Sequence, residues 1–297
     1  MNVQELAGEW RRLMAPRTGD VRTELVEEAA EYLGIPVSEA WQRHKDAGER
    51  FRQEWHEKVG DSSDPDVLTT FYNSTETELF ELIEWHATDP MHYRTLAVRD
   101  LALARPGRSY LDYGSGIGSD AVVFADAGFE VTLADISDIL LGFAAFRCRR
   151  RGATPRIVDL KTSGLPQDAF DVVVCFDVLE HIPKPLPVVR RIARALRTGG
   201  IVAIHAPFGE DPVHPMHVAH RDVVTPRMRS MGFQWVDLRF PPEIRAPFVF
   251  RKTPLSWIDR LGYFVYDGYL HNTAAARIAH AYRRLAARWR TPERARA

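Results

Sequence analysis

The sequence predicts an α/β protein built on a seven-stranded, mostly parallel sheet with helices on both faces, plus an N-terminal helical region and a C-terminal helical extension. Three observations carry that expectation. Past Arg105-Pro106-Gly107, short apolar runs alternate with helical stretches, the pattern of a parallel sheet with helical crossovers. The run SYLDYGSGIGSD at 109–120 reads as a buried strand, a tight glycine turn and a helix start, which lets main chain approach a bound molecule closely. Residues 1–104 instead show helical spacing and no convincing strand.

Taken in order, the chain divides into a helical region at 1–104, a ligand-binding core at 105–252 and an aromatic, basic extension at 253–297. Helical spacing appears at 3–14, 21–33, about 37–59 and 76–86, with a break at Gly34 and Pro36 and a linker at 60–65, GDSSDP. Phe71, Tyr72, Phe80 and Trp85 read either as buried helix faces or as part of a lid over a substrate. In the core, strands are expected at 109–113, 130–134, 156–158, 170–176 and 201–205, with two more at 234–240 and 248–251. Helices fall between them at about 120–127, 138–151, 186–197 and 223–231. Ser137 is placed to cap the second of these, and Arg147, Arg149, Arg150 and Arg151 crowd its C-terminus. That cluster reads as dipole compensation on a solvated face, with an anion or partner patch as the alternative. In the extension, an aromatic-rich stretch at 255–270 leads to a basic helix ending near Arg290, with Ile278, Tyr282, Leu285 and Trp289 on one face. Docking onto its own domain or a neighbouring subunit is the plain reading, and an acidic membrane surface or partner the sharper one.

Composition excludes several classes. The 39 basic and 40 acidic residues nearly cancel, so overall charge gives no reason to expect a nucleic-acid partner. No segment reaches the ~18 apolar residues of a membrane span and the N-terminus lacks the apolar core of a secretory signal, so the expected address is cytoplasmic, without integral membrane insertion. Cys148 and Cys175 fall in predicted apolar elements and offer neither a disulfide framework nor a zinc set.

The glycine turn narrows the ligand. The dinucleotide pattern G-x-G-x-x-G fails, because Ser119 stands where its third glycine belongs. Asp112 stands two residues before Gly114, Gly116 and Gly118 follow, and a carboxylate beside the loop suits an ammonium and a sulfonium better than a pyrophosphate. Here the chain resembles the class I S-adenosylmethionine-dependent methyltransferases, in particular the small-molecule branch that includes quinone-biosynthesis enzymes. The resemblance spans about 105–240 and implies a Rossmann-like sheet, S-adenosyl-L-methionine as cofactor and methyl transfer as the activity. It further implies that Asp112, Gly114, Gly116 and Gly118 form the cofactor loop and that Asp135 meets the ribose hydroxyls. Ile136 would pack on the adenine, with Asp159 near its amine and Leu160 in apolar contact. Phe176 and Asp177 open the segment FDVLEHIP at the methionine end, although Asp177 also reads as a local cap.

Hydroxyl or protonated amine acceptors need a base. His181 and His205 lie just past strand ends, and the loop HAPFGEDPVHPMHVAH at 205–220 adds His214, His217 and His220, so His181, His205 and His217 are the candidate catalytic residues. No metal site is expected, since the loop is Pro-rich and lacks a cysteine or paired carboxylate, and His205-Ala206-Pro207 replaces the Asp-Asn pair of catechol-type metal-dependent enzymes. Phe176-Asp177-Val178-Leu179 is not the proline-rich tetrapeptide of DNA amino-methylating enzymes, and a lone Glu180 disfavours arginine as acceptor. The expected acceptor is a small organic molecule, a specialised metabolite or quinone-like compound, with O-methylation ahead of N- or C-methylation. A non-catalytic module that binds a partner, or forms a homo-oligomer contact, through the basic C-terminal helix is the alternative.

Overall fold

The computed structural model describes residues 2–209, 214–218, 224–238, 240–241 and 244–269. His220 and the basic helix beyond residue 270 lie outside the described residues. Seven helices precede the first strand: α1 (Val3–Met14), α2 (Val21–Leu33), α3 (Val37–His44), α4 (Ala47–Lys58), α5 (Pro65–Ser74), α6 (Thr77–Thr88) and α7 (Arg94–Leu103). β1 (Ser109–Tyr113), α8 (Ser119–Asp126), β2 (Glu130–Asp135), α9 (Asp138–Arg150), β3 (Arg156–Asp159) and β4 (Phe170–Phe176) follow, then α10 (Pro185–Ala195), β5 (Leu196–His205), β6 (Phe233–Trp235), β7 (Phe248–Lys252) and α11 (Trp257–Tyr269). The sheet order is β3-β2-β1-β4-β5-β7-β6, with β7 antiparallel to both neighbours and the other described pairings parallel. The α/β expectation with seven mostly parallel strands therefore matches the observed sheet.

Local chemistry explains most element ends. Asp20 accepts from the Thr23 N–H at the start of α2, and Gly34, left-handed, ends it. The predicted 37–59 helix is two helices, because Asp46 turns left-handed at φ 58° between them. The GDSSDP linker ends as a cap: Asp64 accepts from the Asp66 N–H and Pro65 opens α5, a helix the sequence reading left out. Three further expectations are corrected. The helix expected at 223–231 is instead, over the described residues, two single 3-10 turns at Thr225–Arg227 and Arg229–Met231, with Pro226 in the opening turn of the first, where its missing N–H costs nothing. β6 covers only Phe233–Trp235 rather than 234–240, although the Val236 N–H still donates to the Val249 carbonyl of β7 at 2.8 Å. β5 starts earlier than expected, at Leu196, and a register shift opposite Phe170 and Val172 absorbs Gly199 and Gly200.

Side-chain alternation along the strands splits the core in two. Tyr110, Val172 and Val174 join Leu25, Phe80, Phe124 and Phe143 on the face covered by α1, α2, α6, α8 and α9. Leu111, Val173, Cys175 and Val202 point the other way, toward Val189 and Ile192 of α10. The N-terminal helices thus share one apolar core with the sheet. Arg147 and Arg151 of the α9 cluster fasten them there, which corrects the solvated-face reading for these two, while Arg149 and Arg150 are exposed as expected. Arg147 is fully buried, donating to Glu28 Oε2 at 2.9 Å, to the Ile117 carbonyl at 2.6 Å and to Ser119 Oγ at 3.0 Å. Arg151 reaches Glu28 Oε1 at 2.7 Å and the Met14 carbonyl at 3.1 Å. Both cysteines are free and buried, as expected. Among the described residues no helix is long and apolar enough to cross a membrane.

Candidate active site

The strand order reverses between β1 and β4, and their carboxyl ends open a crevice there, the place where ligands enter open α/β sheets. A cavity of about 390 Å³ occupies it. Such a volume suits a small molecule.

One wall is main chain and short side chains. At Gly114, φ is 73° and an added Cβ would fall 2.2 Å from Val178 Cγ2, so no larger residue fits this turn. Gly116 N–H donates to Asp135 Oδ2 at 2.9 Å, while Asp135 Oδ1 accepts from the Ile136 and Ser137 N–H groups at 2.7 and 3.0 Å. Three of the carboxylate's roughly four acceptor sites are thereby used, leaving Asp135 room for about one further donor. Burial raises its pKa, and those three donors work against the rise. Ile136, Leu140, Leu160 and Phe176 complete an apolar lining beside it.

Three expected cofactor residues lie off this wall. Asp112 sits beneath the loop, where Oδ2 accepts from the Ala121 N–H at 3.1 Å in the first turn of α8. Gly118 allows α8 to approach α9, since a Cβ would fall 2.6 Å from Ala144 Cβ. Asp159 turns to Lys161, at 3.0 Å, and to Thr162. Gly114, Gly116, Asp135, Ile136, Leu160, Phe176 and Asp177 do line the cavity.

The opposite wall comes from the N-terminal helices, β4 and the loop after β5. Tyr72 of α5 and Glu78, Glu81, Leu82, Trp85 and His86 of α6 all face the cavity. Met216 packs with Phe51, Trp55 and Phe71, tying the loop to α4 and α5. Of the three candidate histidines, His181 and His217 line the cavity and His205 does not. His205 stands behind Asp177, with Nδ1 2.5 Å from Asp177 Oδ1. Asp177 also pairs with the buried Arg94. Burial opposes its charge, but Arg94 and His205 outweigh that and hold the carboxyl below the usual range. Asp177 is left-handed, at φ 54°, so the residue read as a possible cap is a strained hub.

This wall is rich in perturbed groups. Burial, reinforced by Asp135 and Glu81, raises Glu78 well above the carboxylate range, and its Oε2 has no partner. Burial brings Glu81 to about 7 against the opposing pull of His214 and Arg52. His181 is pushed down to about 4 by burial and then by His217, so it is neutral at physiological pH. Arg94 lies 4.2 Å over the Phe176 ring, with Nε and Nη1 buried and without partners.

Arg94, Glu78 and Glu81 were missed as site residues. The signal was present in α6: Glu78, Glu81, Leu82 and Trp85 follow the i, i+3, i+4, i+7 spacing of an inward-facing stripe, and two of those positions carry carboxylates.

Comparison with known proteins agrees with this geometry. A family model described as a methyltransferase domain matches residues 88–261, more than half of the chain. The ubiquinone biosynthesis O-methyltransferase of Methylococcus capsulatus is 34% identical over 125 residues, covering 41% of this chain and 52% of that protein. Its counterpart in Bordetella avium is 34% identical over 123 residues, covering 39% and 49%. The chain spans about half the length of the curated relatives it matches. Among solved structures, the CMeT domain of the citrinin polyketide synthase shares the fold, with a TM-score of 0.50 at 16% identity over 70% of this chain and 66% of that one. With its glycine loop, Asp135 wall and reversed strand order in place, the chain belongs to the methyltransferase-domain family.

Proposed function

We propose that this chain methylates an oxygen of a small, moderately apolar, quinone-like acceptor. The observation that carries the reading is the division of one cavity into two unlike walls. The glycine-loop wall fits the cofactor: Gly114 and Gly116 bring main chain close, Asp135 would accept from a ribose hydroxyl, and Ile136 and Leu160 would flank the adenine. Arg94, with two unpartnered buried donor atoms, would hold the cofactor's carboxylate, oriented by Asp177 from behind. When bound, the cofactor supplies a methyl group on a positively charged sulfur that an oxygen nucleophile displaces in line.

The residues of the second wall receive the acceptor. Tyr72 and Trp85 offer aromatic surface, and the packing of Met216 against α4 and α5 keeps water out. Half-ionised Glu81, and neutral His181 when no cation holds its Nε2, are the groups able to take a hydroxyl proton near neutral pH. The names of the relatives support oxygen over nitrogen or carbon as the atom methylated. Incubating extracts with the protein and deuteromethyl-labelled cofactor should yield a labelled metabolite by mass spectrometry whose fragmentation places the label on oxygen. Label on protein, nucleic acid or carbon would overturn the reading.

A further inference from the structure

We propose that Glu180, His181 and His217 form a binding site for one divalent transition-metal cation at the acceptor end of the cavity. One ligating atom from each lies within 4.8 Å of the other two. Atoms bound to a common ion at about 2 Å in tetrahedral geometry stand roughly 3.3 Å apart, so small side-chain rotations close the set. Glu180 is fully buried, yet neither carboxylate oxygen has a hydrogen-bond partner. A carboxyl group left that way loses its hydration with nothing in return, unless a ligand supplies what the protein does not.

The imidazoles are arranged to match. His181 Nδ1 lies 3.3 Å from the Met216 carbonyl and 3.2 Å from the Tyr72 hydroxyl. A carbonyl only accepts, so Nδ1 carries the proton and Nε2 keeps its lone pair, the tautomer by which metal-bound histidines are held from behind. The His217 ring is edge-on to His181 at 5.0 Å. Its loop is pinned to Glu180 through the Val218 N–H, which donates to the Glu180 carbonyl at 2.8 Å. One carboxylate and two imidazoles form the donor set of zinc, cobalt or iron sites that keep open positions. His181 and His217 line the cavity, so those positions face the space assigned above to the acceptor, and that placement alone rests on the methyl-transfer reading.

The sequence reading weighed the loop histidines by their spacing of three and found no paired carboxylate. Glu180 comes from the turn after β4, next to His181, and the fold delivers it to His217 of the loop after β5.

The test uses the full chain after chelator treatment, titrated with cobalt(II) alone and followed by visible absorption. One equivalent should bind saturably and give ligand-field bands, and both Glu180→Gln and His217→Ala should weaken binding at least about tenfold. Thermal melting checks that the variants fold. His217 sits on a loop, so its variant decides the matter if Glu180→Gln does not fold. Absence of saturable cobalt binding in the native chain, or native affinity in a folded variant, would overturn the proposal. Neither cofactor nor acceptor is present in this titration, so its failure leaves the methyl-transfer reading standing, and a failed labelling experiment leaves the cation site standing.

Discussion

The two walls of the cavity differ in how they were built and in how completely they are satisfied. On the glycine-loop wall, Asp135 is surrounded by backbone donors 1, 2 and 19 residues away in sequence, all within 3.0 Å. On the facing wall, Glu78 and Arg94 keep buried polar atoms without partners, as does Glu180 buried beside His181. The first wall is pre-organised by its own backbone. The second keeps buried polar atoms that the protein itself does not pair and a bound molecule or ion can meet.

The largest predicted effect tests what holds the walls together. Arg147→Ala removes the buried guanidinium linking α9 to Glu28 of α2 and to the loop carbonyl of Ile117. Arg151 still pairs with Glu28, so the expected loss is about 3 kcal/mol, read by calorimetry as a melting point lower by roughly 6–10 °C. An unchanged melting point would mean that the N-terminal helices are held by apolar contact alone.

Acidification should strike the second wall next. Burial, followed by the charge of Arg94, lowers His92 from 6.5 to about 3. The folded state therefore keeps His92 neutral where the unfolded chain protonates it. Its contribution is complete above pH 6.5 and drains away as pH falls toward 3, reaching a loss of about 3 kcal/mol by pH 4. His92→Phe should flatten the acid limb of stability against pH in urea titrations, and parallel limbs would remove His92 from the account.

Smaller effects separate the walls by ligand. Asp135→Ala should weaken cofactor binding by about 1–3 kcal/mol in calorimetry, because it strips a carboxylate that three N–H groups hold in place. Tyr72→Phe, which loses only the hydroxyl near His181 Nδ1, should change cofactor affinity by less than about 0.5 kcal/mol while raising the KM for the acceptor a few-fold. Equal effects of both variants on cofactor binding would erase the division between the walls.

Legibility in the sequence followed the same division. Gly114, Gly116 and Asp135 lie on one strand-turn-helix-strand stretch, where spacing dictates position, and they line the cavity. Asp112 and Asp159 share that stretch of sequence logic, yet Asp112 caps α8 and Asp159 faces Lys161. Direction of a side chain at a strand end depends on which neighbour offers it a donor, and spacing does not record that. Arg147 and Arg151 of α9 were misjudged for a related reason: a cluster at a helix C-terminus looks solvated until the fold lays Glu28 across it.

The sequence by itself determined the alternation of strands and helices and the glycine turn, because those rest on local periodicity and on backbone freedom at a few glycines. Only the tertiary structure decided the wall that faces the glycine loop. There Glu78 and Glu81 from α6, Arg94 from α7, Glu180 and His181 after β4 and His217 after β5 meet across separations of up to 139 residues. Their meeting depends on how the N-terminal helices pack on the sheet, a long-range fact settled by burial and ion pairing rather than by any one segment.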